Sequence, residues 1–158
     1  MIRKLFLITV SALMLTACKT PQKATTYRDF EPECLGIAHD GSQTIRAWGF
    51  GKDDDEAVDK ARKNALNAVL FKGITAGVEG CNQRPLVPEV NARERYEDYF
   101  DRFFRNGGEW EKFVTGDDER LYGREDQRNS LGERAGVVVR VLRNELRMKL
   151  KEDGILKY

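Results

Sequence analysis

The sequence contains little material for metal or nucleic-acid chemistry. Its 158 residues include one histidine and three cysteines. His39 has no second histidine and no nearby cysteine pair with which to form a zinc site. The 27 basic and 26 acidic residues give a net charge of +1, so the basic surplus of most nucleic-acid-binding domains is missing. We therefore predict no metal site, no cofactor and no nucleic-acid partner.

The motifs of common enzymes are also missing. Gly49-Phe50-Gly51-Lys52 lacks the spacing of a phosphate-binding loop, and the acidic run at residues 53–56 would repel a phosphate there. That run also lacks the spacing of a calcium loop and is typical of helix caps. Neither Ser42 nor Ser130 lies in the glycine-flanked elbow of a nucleophilic serine. The sequence predicts no catalytic residues and a protein that is not an enzyme.

The N-terminus has the features of a secretory signal. Arg3 and Lys4 precede an apolar stretch of about 11 residues, which spans about 16 Å as a helix. That is too short to cross a hydrocarbon core of about 30 Å, but it has the proportions of a signal peptide. The sequence Leu-Thr-Ala-Cys at residues 15–18 resembles the lipobox of bacterial lipoproteins. The resemblance implies cleavage before Cys18 and a diacylglyceryl group on its sulfur, often with a further fatty acid such as palmitate on its amino group. The alternative is an ordinary signal peptide with a cysteine near the cut by chance.

A lipidated Cys18 predicts a location as well as an anchor. Two or more acyl chains hold a protein stably on a membrane. Lys19, where lipoproteins retained at the inner membrane have Asp, favours the outer membrane, and the lack of an acidic cluster after Cys18 favours its periplasmic face. Residues 18–32 are polar and contain two prolines, which is typical of a tether. We predict a signal peptide at 1–17, a lipidated tether at 18–32 and a single domain at 33–158.

The other two cysteines, Cys34 and Cys81, would lie in an oxidising compartment where disulfides persist. An even pair predicts one bridge. The alternative is two buried free thiols.

The pattern of the domain predicts an α+β fold. Strands are expected at 34–38 and 44–51, joined by an Asp-Gly hairpin turn, with further strands near 74–78, at 109–124, which includes Leu121, and at 135–141. Alternation places Arg46, Trp48 and Phe50 on one face of the second strand, and Val137, Val139 and Val141 on one face of the last. A helix at 54–72 carries a stripe of small and apolar side chains on one face: Ala57, Ala61, Ala65, Ala68, Val69 and Lys72. Helices at 91–105 and 143–152 follow, the last with the stripe Leu142, Leu146 and Leu150. We expect a small antiparallel sheet with the alanine-striped, aromatic and C-terminal helices packed on it.

The helix at 91–105 carries an aromatic stripe at helical spacing: Tyr96, Tyr99, Phe100, Phe103 and Phe104. Such a stripe is either core or, where it is exposed, a partner surface. Charged residues would surround it on the same helix.

Two segments, RAWGFGKDDDEAVDKARKNALNAVL at 46–70 and GVVVRVLRNELRMKLKEDGI at 136–155, resemble a group of small bacterial envelope domains. The group includes outer-membrane lipoproteins of the flagellar lipoprotein P type and the N-terminal domain of flagellar assembly protein T. In it, a Gly-x-Gly bend leads from a strand into an alanine-rich helix, and a valine-rich strand runs into a terminal helix. No catalytic residues come with the resemblance.

We therefore predict an assembly, structural or protein-binding role, with another envelope protein or a second copy as partner. The alternative is a binding module for a small molecule or a cell-wall fragment. A flat aromatic patch would favour the first function, and an apolar pocket with converging polar groups would favour the second.

Overall fold

The computed structural model describes residues 30–81, 84–116 and 133–157. These residues form one five-stranded sheet in the order β3-β1-β2-β5-β4. The strands are β1 Glu33–Ile37, β2 Gln43–Gly51, β3 Ala76–Gly77, β4 Val114–Thr115 and β5 Glu133–Val141. The α-helices are α1 Asp54–Asn67, α2 Ala92–Arg95, α3 Glu97–Phe104 and α4 Arg143–Glu152. The predicted α+β class is confirmed.

The sheet differs from the expected antiparallel one in a single pairing. Three of the four neighbouring strand pairs in the described residues are antiparallel, whereas β1 and β3 run parallel, with Cys34 opposite Gly77. Because β1 is antiparallel to β2, β3 also runs opposite to β2, the strand that precedes α1 in the chain.

The predicted hairpin joins β1 to β2. The Asp40 carboxylate accepts the backbone N–H of Ser42 at 2.8 Å and its hydroxyl at 2.6 Å. Gly41 adopts φ = 80°, which a residue without a Cβ does at little cost. The Ala38 N–H donates to the Ser42 carbonyl at 2.9 Å and closes the turn. The turn thereby fixes the register that places alternate β2 residues in the core.

Helix α1 begins at a side-chain cap. The Asp53 carboxylate accepts the Glu56 N–H at 2.9 Å, and the Glu56 carboxylate accepts the Lys52 N–H at 2.8 Å. The first bond satisfies an N–H group that the first helical turn leaves free, and the second ties the residue before the cap to the helix. The acidic run therefore has the capping role that the sequence indicated.

The alanine stripe packs against the sheet. Ala57, Ala61 and Ala65 are fully buried. A Cβ on Gly49 of β2 would overlap the carbonyl oxygen of Ala57 and the backbone nitrogen of Ala61. Small side chains on both elements therefore allow a close approach of helix and strand.

The last turn of the predicted helix is wider than an α-turn. Residues Ala68–Lys72 form a π-helix, and the Gly73 N–H donates to the Ala68 carbonyl at 2.8 Å. Lys72, which was expected on the apolar stripe, is exposed. That expectation was wrong, because the wider turn rotates Lys72 away from the face that α-helical spacing would give it.

The predicted aromatic helix is two helices, α2 and α3, separated at Tyr96, whose φ of −112° and ψ of 34° are not helical. Helix α3 packs against the π-helix and against the segment that follows α3 in the chain. The ring centroids of Phe71 and Phe100 are 4.8 Å apart, and those of Phe103 and Phe113 are 6.0 Å apart. It thus belongs to the helical layer rather than lying directly on the sheet.

The predicted strand at 109–124 was wrong over its first part. Residues Glu109–Phe113 form a 3-10 helix, and only Val114 and Thr115 are strand; Leu121 and the rest of the prediction lie outside the described residues. Trp110 and Phe113 are both buried. A spacing of three residues places them on one face of a 3-10 helix, whereas strand alternation would place them on opposite faces.

The C-terminal elements match the prediction. Val137, Val139 and Val141 of β5 are buried, as are Leu146 and Leu150 of α4. After α4, Gly154 adopts φ = 73°, a conformation common at helix ends. Strand β5 pairs with β2 over the full length of both, so these two strands form the centre of the sheet.

Candidate functional site

The predicted disulfide is present. Cys34 of β1 and Cys81, which follows β3, are bonded, with their Cα atoms 6.1 Å apart. The bond fastens the segment after β3 to the buried side of the sheet, since Cys34 is fully buried. The predicted lipidation site, Cys18, together with the signal peptide at 1–17 and nearly all of the tether, lies outside the described residues.

The aromatic stripe does not form a continuous surface. Phe100 and Phe103 are buried in the hydrophobic core, so they cannot contact a partner, and their place in the predicted partner surface was wrong. The core reaches α3 because Phe71 and Phe113 meet these two rings from neighbouring segments. Tyr96, Tyr99 and Phe104 are only partly buried.

Tyr99 belongs to a polar network at the end of α4. Its hydroxyl donates to the Asp153 carboxylate at 2.7 Å, and the Lys149 ammonium contacts Asp153 at 2.9 Å and Glu109 at 3.6 Å. Burial, and then the bond to Asp153, raise the pKa of Tyr99. Burial alone would raise the pKa of Asp153, but the bonds from Lys149 and Tyr99 lower it. The network joins α3, the 3-10 helix and α4, which is a structural role.

Arg143 is a buried charge with a similar role. Only 4% of it is exposed, and its guanidinium donates to the Arg84 carbonyl at 2.7 Å. Burial, followed by repulsion from Arg147, lowers its pKa to about 10. Arg143 therefore holds the segment after the disulfide against the start of α4.

The second face of the sheet carries a different set of side chains. Along β2 and β5 every second residue is buried under α1, and the residues between them are at least partly exposed. We call this second side the open face, because none of the helices in the described ranges packs on it. The open face carries Thr44, Arg46, Trp48 and Phe50 of β2, and Arg134, Gly136, Val138 and Arg140 of β5.

One corner of the open face holds an aromatic–arginine cluster formed by Phe30, Trp48, Phe50 and Arg134. The Phe30 ring contacts those of Trp48 and Phe50 edge to face, with centroids 6.3 Å and 5.9 Å away. The Arg134 guanidinium carbon lies 4.0 Å from the Phe30 centroid and 4.9 Å from the Phe50 centroid. Cation–π contacts of this kind attract an arginine to the faces of aromatic rings.

The register of the central strands builds this cluster. Trp48 lies opposite Gly136, and Phe50 lies opposite Arg134. A Cβ on Gly136 would lie 3.2 Å from the Trp48 Nε1 atom, so the indole ring covers a glycine that has no side chain of its own. Phe50 remains 53% exposed. The result is a cluster of edge-to-face aromatic rings at the end of β2, in which Phe50 is the exposed member.

The arginines of the open face differ in whether a carboxylate of the described residues lies near them. Arg46 contacts the Glu33 carboxylate at 3.0 Å. Hydrogen bonds from Ser42, with a contribution from the charge of Arg140, lower the pKa of Asp40. Arg134 has no ion pair among the described residues, and its Nε atom is shielded from water without a hydrogen-bond partner. Arg140 has no ion pair there either, but its charge acts on the Asp40 carboxylate, so Arg134 is the cation of this face with no carboxylate partner in the described part of the chain.

Sequence patterns predicted only part of this site. The alternation in β2 correctly placed Arg46, Trp48 and Phe50 on one side of the strand. It did not identify the cluster, because Phe30 was assigned to the tether and the last strand was expected to begin only at residue 135. One sequence feature did indicate the cluster: the aromatic residues Trp48 and Phe50 lie on the face of the strand opposite to the alanine-striped helix.

Other kinds of site are not seen in the residues described. No group of three or more His, Cys, Asp or Glu side chains among them is arranged to hold a metal ion. No helix in ranges 30–81, 84–116 and 133–157 has the length and apolar character of a membrane span.

Comparison of the chain with protein-family models, with curated proteins and with solved structures finds no match. The resemblance to the flagellar lipoprotein group therefore stays a prediction that depends on the two sequence segments alone.

Proposed function

We propose that this protein is a lipid-anchored component of the bacterial envelope, held at the periplasmic face of the outer membrane through Cys18. Its role is assembly or structure rather than catalysis. Its folded domain binds another envelope protein, or a second copy of itself, through the open face. The observation that carries the proposal is the aromatic–arginine cluster, in which Phe50 is 53% exposed.

The composition and shape of the cluster support a protein partner. Tryptophan and arginine are the residues most enriched among those that dominate the energy of protein interfaces. Soluble monomers rarely expose contiguous apolar patches without a binding function. A small-molecule site is normally a concave pocket with converging polar groups, whereas this cluster lies on the pleated surface of a sheet. The alternative of a small-molecule or cell-wall binding module is therefore less well supported.

Photo-crosslinking in intact cells tests the proposal. Benzoylphenylalanine replaces Phe50 in one variant of the full-length protein and Met148 in another. Met148, on α4, is 57% exposed, so the two reporters are matched in exposure but lie on different surfaces. We expect irradiation to give a discrete protein adduct at position 50 and at most a weak one at position 148.

Two results would contradict the proposal. Equal adduct patterns at both positions would show that position 50 reports only random encounters. The lack of any protein adduct at position 50, in a strain where the protein is lipidated and folded, would mean that the open face is not a protein-binding surface.

A further inference from the structure

We propose that the partner presents an acidic residue, Asp or Glu with apolar neighbours, to Arg134 on the open face. This inference rests on the proposed function, since it names the chemistry of the partner that binds the same surface. It follows from the contacts of Arg134 rather than from exposure alone.

The charge balance of the open face is the first argument. Glu33 is already bonded to Arg46, and Asp40 lies near Arg140 at the hairpin turn. Arg134 is the remaining cation, and among the residues described it has aromatic contacts but no ion pair. The face therefore carries a positive charge that is complementary to an acidic group from outside.

The surroundings of Arg134 are the second argument. The guanidinium lies against Phe30 and Phe50, so one side of it is removed from water, and Nε has no hydrogen-bond partner. A guanidinium held in this way is pre-oriented, so it loses less side-chain freedom when it binds a planar carboxylate with two parallel hydrogen bonds. An attraction between charges is also stronger beside apolar rings than in open water.

The exposed rings are the third argument, because they define what surrounds the carboxylate. Trp48 and Phe50 continue the apolar surface beyond the guanidinium, and Phe50 is about half exposed. A partner that buries Arg134 must also cover these rings, and apolar side chains next to its acidic residue would do so. The ligand class is therefore an acidic segment with apolar flanks.

An anionic membrane surface offers negative charge too. However, lipid phosphates carry no apolar side chains at the level of the charge, whereas the cluster places Arg134 directly beside the half-exposed Phe50 ring. We therefore infer a protein segment, and the experiment treats a lipid adduct as the opposing result.

The experiment uses the full-length protein in cells, with benzoylphenylalanine at position 50 as the reporter. The yield of protein adduct is compared for the native Arg134 and for Arg134→Lys, Arg134→Gln and Arg134→Glu. Arg102→Glu is the control, because it reverses an exposed charge on α3, outside the open face. We expect Arg134→Glu to reduce the adduct at least tenfold, Arg134→Gln severalfold, and Arg102→Glu less than twofold.

A carbodiimide supplies a direct test for the carboxylate. This reagent activates a carboxylate, and a neighbouring amine then displaces the activated group to form an amide. In isolated cell envelopes, the Arg134→Lys variant should form an amide between position 134 and an Asp or Glu of another polypeptide, identified by mass spectrometry of the joined peptides. The native protein, with arginine there, should form none at this position.

The outcomes separate this inference from the proposed function. Protein adducts at position 50 that are unchanged in Arg134→Glu would overturn the acidic partner and leave the protein-binding face intact. So would an Arg134→Lys variant that forms no intermolecular amide. Adducts of position 50 to phospholipid alone would overturn both. Thermal melting of each variant, with the disulfide intact, verifies that the fold is preserved.

Discussion

The backbone N–H of Leu86 donates to the carbonyl oxygen of Val69 at 2.9 Å, and the next pair, Val87 and Leu70, repeats the bond at 2.8 Å. Val69 and Leu70 lie in the π-helix, where the hydrogen-bond pattern of the helix changes and carbonyl groups become accessible to other donors. The segment that contains Leu86 and Val87 supplies those donors. The wide turn at the end of α1 therefore has a structural cause in this chain.

Hydrogen exchange tests whether these two hydrogen bonds to the π-helix persist in solution. Leu86 and Val87 lie outside regular secondary structure, yet both are buried and bonded. We expect their amide protons to exchange at least about a hundredfold more slowly than those of the exposed Glu89 and Val90, because exchange requires local opening. Nuclear magnetic resonance of the folded domain measures each amide. Equal and fast exchange at all four positions would show that the bonds to the π-helix are not maintained in solution.

The disulfide is expected to contribute strongly to stability. Cys34 and Cys81 are 47 positions apart, and closing a loop of this size stabilises a fold by about 2–4 kcal/mol. The double variant Cys34→Ala with Cys81→Ala should lower the free energy of unfolding by that amount, measured with denaturant. The control is Cys18→Ser, which leaves the bridge in place and should change the free energy of unfolding by less than about 0.5 kcal/mol. A double variant as stable as the control would contradict the prediction.

Two glycines of the sheet provide a matched test of helix packing. A Cβ on Gly49 would overlap the backbone of α1, whereas a Cβ on Gly36 would meet nothing within 4 Å. Gly49→Ala should therefore destabilise the domain by about 1–3 kcal/mol or more through overpacking. Gly36→Ala should be within about 0.5 kcal/mol of the native protein. Thermal or denaturant unfolding of both variants decides the matter, and similar effects at the two sites would argue against the close approach.

Asp153 is expected to make the free energy of unfolding depend on pH. Its pKa in the folded state is lowered from 3.8, so the unfolded chain binds the proton more tightly. The carboxylate therefore stabilises the fold above about pH 4, and this contribution is lost as the pH falls through the lowered folded-state pKa. Because the group is largely exposed, the effect is about 0.5–1 kcal/mol.

The free energies of unfolding of Asp153→Asn and of the native protein should thus differ at pH 7, and the difference should shrink as the pH falls below about 4. Asp98→Asn, which changes an exposed acid on α3, serves as the control and should follow the native curve. A difference between Asp153→Asn and the native protein that grows toward low pH would reverse the sign and exclude this explanation.

Cys18 is the residue to test for the anchor. In cells fed a radioactive or clickable palmitate analogue, the native protein should take up label, and Cys18→Ser should remain an unlabelled precursor. The label requires a lipidated cysteine after the apolar signal, so the Cys34→Ala and Cys81→Ala variant should still be labelled. Unchanged labelling of Cys18→Ser would disprove lipidation at this position.

Local sequence signals predicted most of the fold. The alternation in β2 and β5, the acidic cap at Asp53 and the spacing of Leu146 and Leu150 each report on contacts made within one element. These predictions were confirmed for that reason. The end of α1 was predicted less well, since its π-helix depends on hydrogen bonds from Leu86 and Val87, which lie far away in the sequence.

The candidate site was harder to predict for the same physical reason. Its four side chains come from the segment before β1, from β2 and from β5, and only strand pairing brings them together. The aromatic stripe was mispredicted in the opposite way, since side chains that were candidates for a surface are buried. Phe100 and Phe103 have the spacing of an exposed helix face, but Phe71 and Phe113 cover them, and periodicity does not reveal which neighbour covers a face.

The position of Phe30 limits the distance from the membrane at which a partner can bind. It is seated on the open face beside Trp48 and Phe50, and only residues 19–29 separate it from Cys18. A fully extended chain of that length reaches about 40 Å. If Cys18 is lipidated as we propose, the cluster is confined to a shallow layer above the lipid surface, and its search for the proposed partner becomes nearly two-dimensional. A binding site farther than this from the membrane is out of reach, so lengthening the tether with a flexible insert is a way to measure the height at which the partner is met.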